Sequence, residues 1–243
     1  MMSLSNAFAA RRTLASWLAC LACAATLAGC ASAPPAPSPA SADPDGWRDV
    51  ALPGKAPTLY RWERQDGRHE LVARADASAS IYRRRVLRPA ALVGEVEFGW
   101  WAQALPEGAN VSEPGKTDAA ARVMFAFDGD ASRLSPRNQL LFDLAHTLTG
   151  EAPPYATLVY VWDATAPVDS VIVHPRNDRI RKIVVESGHG ALRQWRRYRR
   201  SLVDDYRLAF GEPPGPLLAV AVMTDSDNTR SKLTTRYSDI EFR

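Results

Sequence analysis

The sequence predicts a mainly β protein, a β-sandwich of the jelly-roll kind with one or two helical insertions. Three observations predict it. The dominant hydrophobic period is two: in Glu95-Val96-Glu97-Phe98-Gly99-Trp100, acidic or small residues alternate with Val96, Phe98 and Trp100, as a half-buried strand requires. Arg122 to Phe127 and Tyr155 to Trp162 are apolar on both faces, which suits central strands. Only two segments read as helices, too few for regular βαβ units.

In chain order, the strand set begins with the weaker candidate Tyr60 to Trp62. Leu71 to Ala75, Glu95 to Trp100, Arg122 to Phe127 and Tyr155 to Trp162 follow. Val168 to Val173 is weak, and Ile180 to Glu186, Leu217 to Met223 and Tyr237 to Phe242 complete the series. The first helix should open at Ser135, a capping residue, with Pro136 in the first helical position. Its apolar stripe is Leu140, Leu141, Leu144, Ala145 and Leu148, and Gly150 sits where a left-handed stop belongs. The second should run near Leu202 to Phe210 and end at Gly211, before Pro213-Pro214.

The segments ahead of this domain carry a different signal. Arg11 and Arg12 precede a charge-free apolar run, Leu14 to Leu27, which is short for a membrane span of about 20 residues. It ends in Leu27-Ala28-Gly29-Cys30, which resembles the lipobox of bacterial lipoproteins. That resemblance implies a signal peptide over 1–29, cleavage before Cys30 and lipidation of that cysteine. Several acyl chains on one residue anchor a protein firmly, whereas one binds only marginally. The expected partner is therefore a membrane, reached through lipid on Cys30. The next residue is Ala31, not Asp, which in the sorting scheme of enteric bacteria implies a cell-envelope protein of the outer membrane facing the periplasm.

Residues 30–46 then form the lipidated cysteine and a tether, with five prolines in Ala31 to Gly46 among mostly Ala, Ser and Asp. Such a spacer extends about 3.1 Å per residue. No second linker or repeat follows, so residues 47–243 read as one domain. The other cysteines, Cys20 and Cys23, leave with the signal, so no disulfide is available to the domain. The formal charge of +3 falls to +1 without Arg11 and Arg12, leaving 28 basic and 27 acidic residues. That balance gives no case for nucleic acid as a partner. Nothing in the sequence specifies an oligomeric state.

Several blocks in order resemble one bacterial family, the domain-of-unknown-function 3047 family. They include Leu52-Pro53-Gly54-Lys55, Ala75 to Ser80, Asp118 to Val123, Phe127-Asp128-Gly129-Asp130, Pro154 to Leu158 and Tyr160 to Asp163. Ile183 to Gly188, Asp205-Tyr206, Phe210-Gly211-Glu212, Met223 to Thr229 and Tyr237 to Ile240 continue the match. The resemblance implies a secreted or lipid-anchored envelope protein and brings no reaction with it. The ending Tyr237 to Phe242 is also similar to the last strand of galactose-binding-like carbohydrate modules.

Candidate chemistry is local. Asp225-Ser226-Asp227-Asn228-Thr229 follows a predicted strand. Calcium takes six to eight oxygens, which clustered Asp and Asn can supply, so Asp225, Asp227 and Asn228 are candidate ligands for a structural calcium; otherwise no cofactor is expected. The same residues also favour tight turns by bonding their own backbone. Phe127-Asp128-Gly129-Asp130 is a similar loop. Glycoside hydrolysis needs two carboxylates roughly 5–10 Å apart. Glu186, Asp128 and Asp163 are the candidate acids, with Asp118 and Asp130 behind them, and no spacing fixes a pair. No Gly-x-Ser-x-Gly elbow, zinc spacing or phosphate loop occurs.

Arg193, Gln194, Trp195, Arg196, Arg197, Tyr198, Arg199 and Arg200 form the densest basic run. Guanidinium forks bind phosphate or carboxylate, and Trp195 could stack on a ring. The roughly helical spacing of Leu192, Trp195, Tyr198, Leu202 and Tyr206 favours an amphipathic helical segment instead. On the strand at Trp100, the period of two turns Trp101 outward, where it could serve as a sugar platform. The leading expectation is thus a non-catalytic envelope module binding a glycan or another anionic ligand. The alternatives are a carbohydrate hydrolase and a scaffold that docks an envelope partner.

Overall fold

A computed structural model describes residues 46–65 and 67–243. The expected signal, Cys30 and almost all of the tether lie outside the described residues.

The strands are β1 (Trp47–Ala51), β2 (Leu59–Gln65), β3 (Arg68–Asp76), β4 (Ser80–Arg88), β5 (Glu95–Ala102) and β6 (Ala119–Phe127). After helix α1 (Pro136–Thr149) come β7 (Ala156–Asp163), β8 (Val171–Val173), β9 (Ile180–Ser187) and β10 (Arg196–Ser201). Helix α2 (Leu202–Phe210) leads to β11 (Leu217–Asp225), β12 (Lys232–Tyr237) and β13 (Glu241–Phe242). They form a seven-stranded sheet, β1-β4-β11-β6-β7-β9-β8, and a six-stranded sheet, β10-β5-β12-β3-β2, with β13 also on β5. Every pairing is antiparallel except β7 with β9.

The two sheets pack face to face through rings. Phe98 stacks on Tyr160 with centroids 5.4 Å apart, Trp100 on Trp162 at 6.3 Å and Tyr60 on Tyr82 at 5.1 Å. Alternation accounts for this: Val96, Phe98 and Trp100 point inward from β5, and Val123, Phe125 and Phe127 from β6. The fold is a jelly-roll-like β-sandwich with two helical insertions. All eight residues of β7 are buried, and on the outer face Val111, in the loop between β5 and β6, clusters with Val161 and Val184.

Helix α1 begins and ends as predicted. Ser135 Oγ accepts from the Asn138 amide at 3.3 Å, and Gly150 takes φ 70°. The leucines of its predicted inward stripe at 140, 141 and 144, however, face solvent: Leu140 is 68% exposed and Leu144 52%. Asn138 and Phe142, one turn apart on another face, pack inward instead, and Asn138 donates to Asp178 at 2.5 Å. Helix α2 is capped by Ser201 and stopped by Gly211 at φ 72°.

Three further expectations are corrected. The arginine run is not helical. Arg196 to Ser201 pair with β5 in register, Arg196 opposite Trp100 and Tyr198 opposite Phe98, because an edge strand needs only one apolar face. The predicted strand Tyr237 to Phe242 is split at Ser238–Ile240, and both pieces remain on β5. β1, β4 and β12 were not foreseen. In β4, arginines at 83, 84 and 85 hide the alternation, their stems covering sheet surface while Arg83 and Arg85 reach Glu151.

Candidate functional site

Two clefts open on opposite outer faces of the sandwich. The larger, about 400 Å3, lies on the seven-stranded sheet. Its floor comes from residues that alternate with the core: Arg122 and Met124 of β6, Val159 of β7, Lys182 of β9, and Met223 and Asp225 of β11. Lys55, the Pro114–Thr117 stretch, the His174–Arg176 loop and Asp227-Asn228 form its rim.

The charges on this floor are buried. Arg122 Nη1 donates to Asp225 Oδ2 at 2.6 Å, and a second nitrogen of the fork reaches the Thr117 carbonyl. Both side chains are 6% exposed. Arg122 Nε and Asp225 Oδ1 have no hydrogen-bond partner among the described residues. A buried ion pair with unmet atoms is weak evidence for stability and calls for another explanation. Burial pushes the Asp225 carboxyl up, and Asp118 and Asp227 add to this, against the pull of Arg122.

Lys182 stands on the same floor, 4% exposed, and donates to the Val111 carbonyl at 2.5 Å. Among the described residues no carboxylate pairs with it. Burial, then Arg122, lowers its ammonium to about 7, while Asp225 and Asp163 oppose the shift. His174 is brought down to about 4 by burial and by Lys182, Arg176 and Arg122.

The candidate calcium loop borders this cleft. Asp118, Asp225 and Asp227 each bring a carboxylate oxygen within 4.8 Å of the others. Two of these charges are already met, by Arg122 on Asp225 and Lys55 on Asp227. Asn228 uses its amide to donate to Asp118 at 2.7 Å, and Thr229 Oγ1 does the same at 2.7 Å. Burial pushes Asp118 up, but these hydrogen bonds outweigh it and hold the carboxyl below its ordinary value. The segment Asp227 to Arg230 is a turn closed on Asp118, the role that its Asp and Asn content also fits.

The second cleft, about 380 Å3, lies on the six-stranded sheet and holds Trp195, Arg197 and Arg199 of the basic run, with His69, Glu97 and Asp239. Arg199 is tied to Glu95 and Glu97, whereas Arg197 has no ion-pair partner among the described residues. The other arginines of the run point elsewhere: Arg193 to the Gln103 carbonyl, Arg196 to Glu186, and Arg200 to Asp205 and Asp169. Trp101 turns outward as expected, yet the Arg236 guanidinium covers it at 5.2 Å, and it lines neither cleft.

None of the candidate acids lines a cleft. Glu186 accepts from Tyr198 at 2.7 Å and Arg196 at 3.1 Å. Asp163 accepts from the Thr165, Ala166 and Val111 amides, fastening two loops. Asp128 accepts from Gly129, whose missing Cβ makes room for the Tyr155 ring, and Asp130 caps the turn at Ser132. Sequence reasoning missed Arg122, Lys182 and His174 as site residues. The one available signal was Arg122, a lone cation in the otherwise apolar strand β6; Lys182 sits beside Arg181 in a strand with several polar residues and gave none.

Fold and cleft together define a class: a two-sheet sandwich domain with a charged cleft on its larger sheet. The match to the family described as Protein of unknown function (DUF3047) spans residues 45–241, so the chain belongs to that family. No curated protein sequence matches it. Among solved structures, it is similar to the cellulase Cel12A of Rhodothermus marinus, in a mutated meso-active form, with 13% identity, TM-score 0.44, and 81% and 91% of the two chains covered. The xyloglucanase domain of NopAA from Sinorhizobium fredii gives 7%, 0.42, and 81% and 93%. The family 11 carbohydrate-binding module of Lic26A-Cel5E from Clostridium thermocellum gives 8%, 0.37, and 80% and 85%.

Proposed function

We propose that the protein is an envelope lipoprotein whose domain binds a glycan without transforming it, and that the cleft on the seven-stranded sheet is the seat. The observation that carries this is the buried Arg122–Asp225 pair on the floor of an open cleft. A sugar presents hydroxyls that both donate and accept, beside apolar C–H surface. Arg122 and Asp225 set a donor next to an acceptor, and Met124, Val159 and Met223 lie alongside. The family-like blocks support the same seat: Leu52, Lys55, Arg122, Met223, Asp225 and Asn228 all come from them and converge on it.

The test is co-sedimentation of the full chain with cell-wall, lipopolysaccharide and polysaccharide fractions, using one variant per cleft. Met124→Arg should abolish binding by filling the floor, and Trp195→Ala and Trp101→Ala should leave it intact. Loss in Trp195→Ala alone would move the seat to the six-stranded sheet. No binding of the unaltered chain to any fraction would sink the reading.

A further inference from the structure

The cleft on the seven-stranded sheet carries more positive charge than its own carboxylates neutralise. Four basic residues line it, Lys55, Arg122, Arg176 and Lys182, against two acidic ones, Asp225 and Asp227. Those two are consumed by Lys55 and Arg122. Arg176 has no ion-pair partner among the described residues and is exposed at the rim. Lys182 is the costly one, an ammonium almost wholly removed from water and held only by one carbonyl. Burying a charge without a counter-charge is expensive, so such a group is retained where something completes it. The groups facing it are Arg122 from β6, Asp163 from β7, Asp225 from β11 and His174 from the loop after β8, with Arg176 of that loop acting on His174. Asp225 and Asp163 are spoken for by Arg122 and by backbone amides, so neither closes on Lys182.

Resting on the glycan reading above, we infer that the ligand of this cleft is an acidic sugar, a hexuronate unit whose carboxylate seats on Lys182 and completes its charge. The single buried ammonium calls for a monoanion. A phosphate dianion would bring twice the charge beside Asp225 and Asp227, where Lys182 is the unpaired cation on the floor and Arg176 stands out at the rim. Arg176 at the rim then meets the next acidic unit along the chain or steers it inward. The apolar strip of Met124 and Val159 takes the ring face between them.

Calorimetry on the full chain with trigalacturonate, its methyl ester and inorganic phosphate tests this. Trigalacturonate should bind roughly tenfold or more tightly than the ester, the worth of one charge-assisted contact, and Lys182→Met should cut that preference by about tenfold, leaving only what Arg176 adds at the rim. The comparison of acid with ester on the unaltered chain holds whether or not the variant folds. Equal binding of acid and ester would overturn the carboxylate assignment and leave the glycan reading standing. Phosphate competing at the concentration of the acid would overturn it in favour of a phosphate ligand. Binding of neither oligomer would overturn it too, and co-sedimentation would then judge the glycan reading alone.

Discussion

Lys182 shows how a single residue links stability to the site. Its folded ammonium titrates near 7, below the ordinary lysine value of 10.5. Between those values the unfolded chain keeps a proton that the fold has shed, so stability rises with pH across that window. Below about 7 the penalty of the buried charge is fully present. His174, lowered to about 4 from 6.5, gives the same sign at lower pH. Replacing Lys182 with Met should therefore stabilise the free protein at pH 6 by ~1–3 kcal/mol and flatten its upper pH dependence. Thermal melts from pH 5 to 9 check this; an unchanged slope between 7 and 9 would count against an uncompensated ammonium. None of this was legible from the sequence. Ile180 to Glu186 reads as a strand with polar outward positions, and only the folded loop at Val111 shows that Lys182 is covered rather than solvated.

At the scale of elements, alternation was readable wherever apolar residues carried it, and lost where arginines did. β5, β6, β7, β9 and β11 follow directly from period two or from runs buried on both faces. β10 was read as helical because Trp195, Tyr198 and Leu202 keep a spacing near three to four. The fold overrides this by pinning Tyr198 inward between Phe98 and Trp100, with ring centroids at 5.3 and 5.2 Å. The Tyr198 hydroxyl donates to Glu186 at 2.7 Å and accepts from Trp100 Nε1 at 3.2 Å. This couples the edge strand to both sheets. Tyr198→Phe should leave the Trp100 indole and Glu186 underbonded and cost about 1–3 kcal/mol in chemical denaturation, with the fold retained. A change below about 0.5 kcal/mol would mean that the strand is held by its ladder alone. The cleft residues are scattered over β6, β7, β9, β11 and five loops. No local pattern could have gathered them, although the Asp118 block and the Asp225 block each stood out alone.

For the whole molecule, the remaining proposal concerns where the cleft works. The described domain holds no cysteine, so the thiol chemistry of the expected mature chain is confined to Cys30. A lipid there and a proline-rich tether of sixteen residues would place the cleft within roughly 50 Å of a membrane surface, at about 3.1 Å per residue. That reach would suit a domain that grips envelope polymer beside a lipid anchor, and the +1 charge expected after removal of the signal would give the membrane itself little electrostatic hold on it. Anchorage and binding should thus separate cleanly. Cys30→Ser should abolish incorporation of labelled fatty acid and shift the protein from membrane to soluble fractions, while glycan binding by the purified variant stays unchanged. Met124→Arg should do the reverse, remaining membrane-bound and losing the polymer. If Cys30→Ser stays with the membrane and still fails to label, the hold on the envelope comes from the domain. The cleft rather than the lipid would then be the anchor.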